Sequence, residues 1–255
     1  MTTLRVALAF LTTLPLPHLP AEAFLSGRGR AFAWYPAVGL LLGLLLAGAA
    51  GLLGFANLSL SVQASLILLA WTLLSGGLHL DGVMDSCDAL FAPVSVERRL
   101  AILKDVHAGA FGVIGLFFVL GLKWTLLAEL LGQSGGWLAL LLAPVWGRWM
   151  LVWAIWRFPY ARQEESLGRT MTAGLSSREV LLATLFALIV QSVLGLWNHW
   201  LFVAVFSLPL GHLSARWAAG KLGGGLTGDI YGFLCEVTEV LVLLLLALLG
   251  PANFV

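Results

Sequence analysis

Three aspartates stand in Gly-Gly-Leu-His-Leu-Asp-Gly-Val-Met-Asp-Ser-Cys-Asp, residues 76–88 of a chain that is otherwise strongly apolar. A second acidic stretch, Thr-Gly-Asp-Ile-Tyr-Gly-Phe-Leu-Cys-Glu-Val-Thr-Glu, occupies residues 227–239. Only 11% of the 255 residues are charged, whereas 60% are hydrophobic. Because ionisable groups at membrane depth are costly and usually functional, the two stretches indicate the site of a membrane protein.

The composition predicts an integral membrane protein. A mean hydropathy of +0.97 is too high for a soluble domain, and a net charge of +1 leaves no basic surface for nucleic acid. We predict an all-α, polytopic helix bundle that forms a single transmembrane enzyme domain over residues 1–255, with a short N-terminal helix at residues 2–14. About seven stretches are long enough to span a bilayer: 31–55, 60–78, 109–131, 136–157, 179–197, 200–218 and 229–250.

Basic residues alternate between the predicted connections. The connections near 56–59, 132–135 and 198–199 contain no Lys or Arg, nor does the tail at residues 251–255. The other connections contain Arg28, Arg30, Arg98, Arg99, Lys104, Arg157, Arg162, Arg169, Arg178, Arg216 and Lys221. The positive-inside rule therefore predicts a multi-pass protein of the cytoplasmic (inner) membrane of a prokaryote. It also places both acidic stretches, and hence the active site, on the cytoplasmic side.

The acidic stretches have the spacing of metal-binding helices. Asp81, Asp85 and Asp88 lie within roughly 60° of one helical face, and residues 229–239 place three more carboxylates within roughly 80°. Oxygen ligands of this kind suit Mg²⁺, or Mn²⁺ in its place. The predicted metal ligands are Asp81, Asp85, Asp88, Asp229, Glu236 and Glu239.

Two structural alternatives to metal binding stay open. The first cluster has the composition of a solvated acidic helix face. Glu236 and Glu239 are flanked by continuous apolar sequence and would otherwise need a buried basic partner, for which Arg148 is the main candidate. Lys123, towards the outer part of the third span, has the position of a snorkelling lysine.

The nearby basic residues and histidines complete the predicted site. Asp81, Asp85, His79 and Lys104 form the predicted catalytic set, in which His79 is a candidate general base and Lys104 a phosphate ligand. Arg148, Arg162 and Asp105 form the predicted cofactor-binding set, because the arginines can hold phosphate bidentately. His107 is a second candidate base. For each histidine, a structural role stays open. For each Lys or Arg, a role only in setting the membrane orientation stays open.

The chain resembles the cobalamin synthases (adenosylcobinamide-GDP ribazoletransferases). The resemblance rests on residues 76–88, on Lys104-Asp105 with Gly109-Ala110-Phe111-Gly112, and on Gly224, Thr227-Gly228-Asp229 and Glu236. It extends to Leu11-Thr12-Thr13-Leu14-Pro15, Pro36-Ala37-Val38-Gly39 and Pro159-Tyr160-Ala161-Arg162, and so covers nearly the whole chain in order. His107 departs from the pattern, because the family usually has Arg there.

The resemblance implies a concrete reaction in the last steps of cobalamin biosynthesis, nucleotide loop assembly. Adenosylcobinamide-GDP would react with α-ribazole, or its 5′-phosphate, to give adenosylcobalamin or its phosphate and GMP, with Mg²⁺ as cofactor. The residues themselves indicate the same class, metal-assisted attack of a hydroxyl on a diphosphate. The lipid bilayer is the other expected partner, and a homo-oligomer is an open alternative.

Three other functions compete with this one. A CDP-alcohol phosphotransferase or a prenyl-diphosphate transferase would use similar acidic helices, but the chain lacks both the D-G-x-x-A-R and the DDxxD patterns. An ion-coupled transporter would use Glu236 and Glu239 as its ion site. A transporter should have polar groups along a path through the bilayer, whereas here they concentrate on one side.

Overall fold

The computed structural model describes residues 2–162 and 172–250, and these residues are almost entirely helical. Its helices are α1 (Thr2–Leu11), α2 (Ala21–Ala31), α3 (Tyr35–Gly54), α4 (Leu60–Ser75), α5 (Leu78–Phe91), α6 (Val96–Ile102), α7 (Ala110–Leu131), α8 (Ala139–Arg157), α9 (Ser177–Trp197), α10 (Ser207–Lys221) and α11 (Gly228–Leu248). Short 3₁₀ segments at Phe32–Trp34, Gly136–Leu138 and His199–Phe206 precede α3, α8 and α10. The all-α prediction is confirmed. Arg169 and the tail at 251–255 lie outside the described residues.

Among the described residues, six helices are long and apolar enough to cross a membrane. They are Phe24–Gly54, Ala110–Leu131, Gly136–Arg157, Ser177–Trp197, His199–Lys221 and Gly228–Leu248. The count becomes seven if the bent pair α4 and α5 forms one further span. The prediction of a multi-pass helix bundle is therefore confirmed. The protein is an integral membrane protein with polar side chains concentrated at a few positions.

The predicted span at 60–78 was wrong at its end. Helix α4 stops at Ser75, and α5 starts at Leu78 after a bend of 92°. Gly76 and Gly77 make the bend with φ values of 67° and 68°, which glycine adopts without steric cost. Their amides close α4 by donating to the carbonyls of Leu73 and Thr72. The bend turns the three aspartates of α5 away from the direction of the span.

The N-terminal region also differs from the prediction. Helix α1 ends at Leu11 rather than at residue 14, and Val6, Ala7 and Leu11 are buried. The basic segment with Arg28 and Arg30, predicted as a loop, is helix α2, which continues through the 3₁₀ turn into α3. Proline-rich sequence ends α1 and separates it from α2, because proline cannot continue a helix.

Helices α8 and α11 are the most buried spans of the bundle. Glycine lets α3 approach α8 closely, since a Cβ at Gly39 would lie 2.4 Å from the Pro144 carbonyl oxygen. A Cβ at Gly43 would lie 2.5 Å from the Leu140 carbonyl oxygen. Small residues at such crossings are the usual means of packing helices in membranes. Helix α11, which contains the second acidic stretch, packs against α5, α7, α8 and α10. It therefore links the first acidic stretch, on α5, to the core of the bundle.

Candidate active site

A glycine contact brings the two acidic helices together. A Cβ at Gly82 would lie 2.6 Å from the Asp229 carbonyl oxygen and 3.3 Å from the Gly232 Cα. A Cβ at Gly232 would in turn lie 3.2 Å from the His79 Cα. The backbones of α5 and α11 therefore touch at their first turns. The two acidic helices thus pack side by side at this point.

Three carboxylates lie near this contact, close enough for their charges to interact. The charge on Asp85 is influenced by the charges of Asp81 and Asp229, and more weakly by Asp88. Asp81 is exposed, whereas Asp85 and Asp229 are partly buried. We call Asp81, Asp85 and Asp229 the acidic cluster. Their mutual repulsion favours a bound cation, and their exposure leaves room for a ligand.

Arg162 is the cation that the structure places beside the acidic cluster. Its Nη2 lies 3.8 Å from Asp229 Oδ2 and donates a 2.9 Å hydrogen bond to the Leu103 carbonyl. A short backbone pairing holds it there, because the Ala161 amide donates to the Leu226 carbonyl and the Leu226 amide donates to the Pro159 carbonyl. The residues before α11 thus align Arg162 with the first turn of that helix. The structure thus brings Arg162 close to one of the predicted carboxylates, and its phosphate-binding role stays a prediction.

Asp88 has a different role from the one predicted. Its carboxylate accepts hydrogen bonds from the backbone amides of Gly109 (2.7 Å) and Gly112 (2.8 Å) at the start of α7. The first amides of a helix have no partner within the helix, and an aspartate satisfies them well. A Cβ at Gly109 or Gly112 would collide with this carboxylate at 2.4 Å. We therefore correct the assignment of Asp88: it joins α5 to α7.

Glu236 and Glu239 also depart from the predicted metal site. Lys123 donates to Glu236 Oε2 at 2.6 Å and also contacts Glu239, which pairs with Arg148. We call these four residues the buried ion-pair cluster, since none is more than 3% exposed. The salt-bridge alternative with Arg148 is confirmed, so Glu236 and Glu239 are no longer assigned to metal, nor Arg148 to the cofactor.

Lys123 was the residue that sequence reasoning missed. Its position in the sequence predicts a snorkelling side chain, but Lys123 is 2% exposed and lies over the Trp71 ring at 4.4 Å. A depth estimate could have found the pairing. At 1.5 Å per residue, Lys123 lies about 20 Å from the start of α7 and Glu239 about 16 Å from the start of α11. Similar depths on neighbouring helices are what an ion pair requires.

The connection after α6 carries the remaining predicted residues. Lys104 and Asp105 are exposed in the turn that also presents the Leu103 carbonyl to Arg162. Asp105 pairs with His107, whose Nδ1 lies 2.6 Å from Asp105 Oδ1. Hydrogen bonds from the side chain and backbone of His107 lower the pKa of the Asp105 carboxyl below its usual value. The catalytic role of Lys104 and the cofactor-binding role of Asp105 stay predictions.

His79 lines a cavity beside the acidic cluster. The imidazole is 4% exposed, and its Nδ1 is buried without a hydrogen-bond partner. Asp81 and Asp229 line the same cavity, which has a volume of about 250 Å³. A buried nitrogen without a partner is costly to desolvate unless a ligand completes its hydrogen bonding. The structure therefore places a candidate base and two carboxylates around one space.

The acidic cluster does not form a complete metal cage by itself. Within residues 2–162 and 172–250, no group of three or more His, Cys, Asp or Glu side chains is positioned to hold a metal ion. Mg²⁺ is usually bound through one or two carboxylates together with waters and substrate phosphates, so a cage made only of protein ligands is not required. All the available donors are oxygens, and this chemistry fits Mg²⁺.

Comparisons with known proteins identify the family of this chain. The family model described as cobalamin-5-phosphate synthase matches residues 3–247. A Deinococcus radiodurans protein named adenosylcobinamide-GDP ribazoletransferase is 46% identical over 94% of this chain and 83% of its own length. Proteins of the same name from Roseiflexus sp. and Pseudomonas fluorescens are 39% and 40% identical, over 96% and 95% of this chain and 89% and 98% of their own lengths. No solved structure matches. The chain belongs to the cobalamin-5-phosphate synthase family.

Proposed function

We propose that this protein is an adenosylcobinamide-GDP ribazoletransferase that acts in the final steps of cobalamin biosynthesis. It would join adenosylcobinamide-GDP to α-ribazole, or to its 5′-phosphate, and release GMP. The observation that carries the proposal is the convergence of Asp81, Asp85 and Asp229 beside Arg162, in a chain related to enzymes of that name.

The reaction is a phosphoryl transfer with defined bond changes. The acceptor hydroxyl attacks the phosphorus that carries adenosylcobinamide, and a new P–O bond forms. The bond from that phosphorus to the bridging oxygen breaks, and GMP leaves with the electron pair. The hydroxyl proton moves to a base, for which His79 Nδ1 is our candidate, because it is buried in the cavity wall without a partner.

We propose Mg²⁺ as the cofactor, held by one or two carboxylates of the acidic cluster (Asp81, Asp85 and Asp229) together with waters and phosphate oxygens of the substrate. When bound, the ion neutralises charge on the diphosphate and on the departing GMP. The three carboxylates provide only oxygen donors, as Mg²⁺ prefers, with Mn²⁺ as the natural replacement. Asp81 is exposed and Asp85 and Asp229 are partly exposed, so the cluster has space for waters as well as substrate.

The basic residues of the site would orient the diphosphate. Arg162 is held by its hydrogen bond to the Leu103 carbonyl and lies close to Asp229. Its planar guanidinium can therefore donate hydrogen bonds to a phosphate bound next to the acidic cluster. Lys104 follows Leu103 directly and would add a second positive charge from the same turn. Positioning and charge neutralisation supply most of the rate in reactions of this class.

We propose that the acidic cluster faces the cytoplasm from the inner membrane. Arg162 follows the end of α8, and Lys221 is the last residue of α10, the helix that leads into α11 with Asp229 in its first turn. The turns near 56–59 and 132–135 contain no Lys or Arg. The positive-inside rule supports this orientation, and it gives the site access to cytoplasmic nucleotides.

Release of GMP tests the proposed function directly. The full-length protein in lipid nanodiscs is incubated with adenosylcobinamide-GDP and α-ribazole, with Mg²⁺ or with EDTA. We expect GMP and a cobalamin product in equal amounts with Mg²⁺, and neither with EDTA. Absence of GMP with Mg²⁺, from protein whose helix content is intact, would refute the proposal.

A further inference from the structure

The cavity beside His79 has a largely apolar lining, which binding of a phosphate does not require. Its aromatic wall comes from α1, α2, the 3₁₀ turn and the start of α3, and contains Phe10, Phe24, Phe32 and Tyr35. We propose that this cavity binds the aromatic base of the acceptor nucleoside, the benzimidazole of α-ribazole. The inference rests on the proposed function and assigns one of its two substrates to a place in the fold.

The size of the cavity indicates which of the two substrates it can hold. Its volume of about 250 Å³ lies just below the range of about 300 to 1,000 Å³ that is typical of small-molecule sites. A two-ring base with its ribose is of this size, whereas a corrinoid ring with its side chains and nucleotide is far larger. The corrinoid must therefore approach from outside the cavity, towards the exposed Asp81.

The aromatic wall is suited to a flat apolar ring. The rings of Phe32 and Tyr35 lie 4.9 Å apart, and Phe10 stacks on Tyr35 at 6.3 Å with an angle of 19° between the planes. Such faces favour another aromatic ring through stacking and apolar burial. They offer few partners to a ring with many polar atoms. The methylated benzimidazole of α-ribazole has mostly hydrocarbon on its edge.

The other base among the substrates, guanine, fits this wall less well. Guanine has N–H donors and carbonyl and ring-nitrogen acceptors around its edge, and each would lose hydrogen bonds to water among phenylalanines. A site that buries such groups without partners discriminates strongly against them. The carboxylates that line the cavity, Asp81 and Asp229, belong to the acidic cluster, where the proposed function uses them for phosphate and metal.

The polar part of the lining sets the orientation of the nucleoside. His79 and Asp81 are in the first turn of α5, and Asp229 is in the first turn of α11. A base held by the aromatic wall directs its ribose towards these first turns. The ribose hydroxyl then lies on the side of the cavity that His79 and the two carboxylates line. One cavity thus holds the acceptor and brings its hydroxyl to the diphosphate.

Two substitutions in the wall test this assignment. Phe10 is 37% exposed and Phe24 is partly buried, so Phe10→Ala and Phe24→Ala remove ring surface from the cavity at little cost to the core. The matched control is Phe118→Ala, since Phe118 is 59% exposed on α7 and does not line the cavity. Binding of α-ribazole to full-length protein in nanodiscs is measured without the second substrate, and KM is measured for each substrate.

We expect the two wall variants to raise the Kd and the KM for α-ribazole about tenfold, as loss of one aromatic partner predicts. The KM for adenosylcobinamide-GDP and the Kd for GMP should stay within about twofold, and Phe118→Ala should match the wild type. Unchanged α-ribazole binding, an equal rise in both KM values, or weakened GMP binding alone would overturn the assignment. If the wild type releases no GMP, the proposed function fails instead, and the α-ribazole binding data still decide the cavity.

Discussion

Helix α11 carries carboxylates at two depths, and their surroundings are opposite. At its first turn, Asp229 joins Asp81 and Asp85, and Arg162 lies beside this acidic cluster, 3.8 Å from Asp229. Further into the same helix, Glu236 and Glu239 meet Lys123 and Arg148. The deep cluster has two acids and two bases, whereas the acidic cluster has three acids beside one base. Carboxylates on one helix thus have different roles at its two depths.

The difference follows from the cost of charge at each place. A buried carboxylate must be paired within the protein, because the desolvation penalty of a lone charge there is several kcal/mol. A carboxylate near water can stay unpaired until a cation and substrate arrive. The unbalanced charge of the acidic cluster is therefore what makes it a site. The buried ion-pair cluster instead fixes α7 and α8 against α11.

The largest effect should come from the acidic cluster. We expect Asp81→Asn and Asp85→Asn each to lower kcat for GMP release by about a thousandfold, because each removes a charge from the proposed phosphate and metal site. Thermal unfolding should be unchanged or slightly improved, since repulsion within the cluster falls. Steady-state kinetics and circular dichroism on the same samples make the measurement. Near-normal turnover in both variants would show that the chemistry lies elsewhere.

The buried ion-pair cluster should respond in the opposite manner. Glu239→Gln leaves Lys123 and Arg148 with a single carboxylate between them, and breaking a buried pair in this way costs about 3–5 kcal/mol. We expect a marked fall in thermal stability and yield, with kcat per folded molecule within a few fold of the wild type. Differential scanning fluorimetry together with the GMP assay separates the two effects.

A neutral double substitution provides the control for that prediction. Lys123→Met with Glu236→Met removes one acid and one base together, and it leaves the pair of Arg148 and Glu239 intact. Stability should recover most of the loss seen in Lys123→Met alone, because no unpaired charge remains. A double variant as unstable as the single one would show that packing, rather than charge balance, holds these helices.

Arg162 should have an intermediate effect that falls on one substrate. Arg162→Lys keeps the charge but lacks the planar fork that reaches the Leu103 carbonyl and Asp229 together. We expect the KM for adenosylcobinamide-GDP to rise about tenfold, and the KM for α-ribazole to change little. The exposed Arg178, at the start of α9, gives the matched control Arg178→Lys. An equal effect in both variants would remove Arg162 from the site.

Asp88 can be compared with Asp85, because both lie on α5. Asp88→Asn keeps one acceptor for the amides of Gly109 and Gly112 but loses the second acceptor and the charge. We expect a loss of about 1 kcal/mol in stability and a change of less than about fivefold in kcat. Loss of activity as large as that of Asp85→Asn, without loss of stability, would return Asp88 to the metal ligands.

The smallest effect should come from Glu97, in the first turn of α6. Its side chain is exposed, and hydrogen bonding to Ser95 lowers the pKa of its carboxyl. Glu97→Gln should leave GMP release and thermal stability within error of the wild type, because exposed charges contribute little. A large loss of activity would mean that the site extends to the first turn of α6.

The sequence predicted much of this architecture because apolar runs and basic connections are local signals. The spans at 109–131, 136–157 and 179–197 match α7, the 3₁₀ segment with α8, and α9 closely. The proximity of the two acidic helices was also predictable, since Gly82 and Gly232 leave room for contact. Predicting these features requires no knowledge of how helices that are far apart in the sequence are rotated relative to each other.

The pairing of deep charges could not be read from one helix at a time. Glu236 and Glu239 share a face of α11 with Asp229, so the period of the helix alone groups them with the metal ligands. Their true partners, Lys123 and Arg148, come from two other helices whose rotation depends on packing. Asp88 was misassigned for the same reason, because the amides that it binds lie more than twenty residues away.

Binding of Mn²⁺ tests the central claim most directly, because it reports the metal site without relying on turnover. Electron paramagnetic resonance would follow Mn²⁺ with adenosylcobinamide-GDP on the wild type, on Asp85→Asn and on the double variant Lys123→Met/Glu236→Met. We predict that the wild type and the double variant bind the ion equally, and that Asp85→Asn binds it at least about tenfold more weakly. Full binding by Asp85→Asn with loss in the double variant would contradict the account.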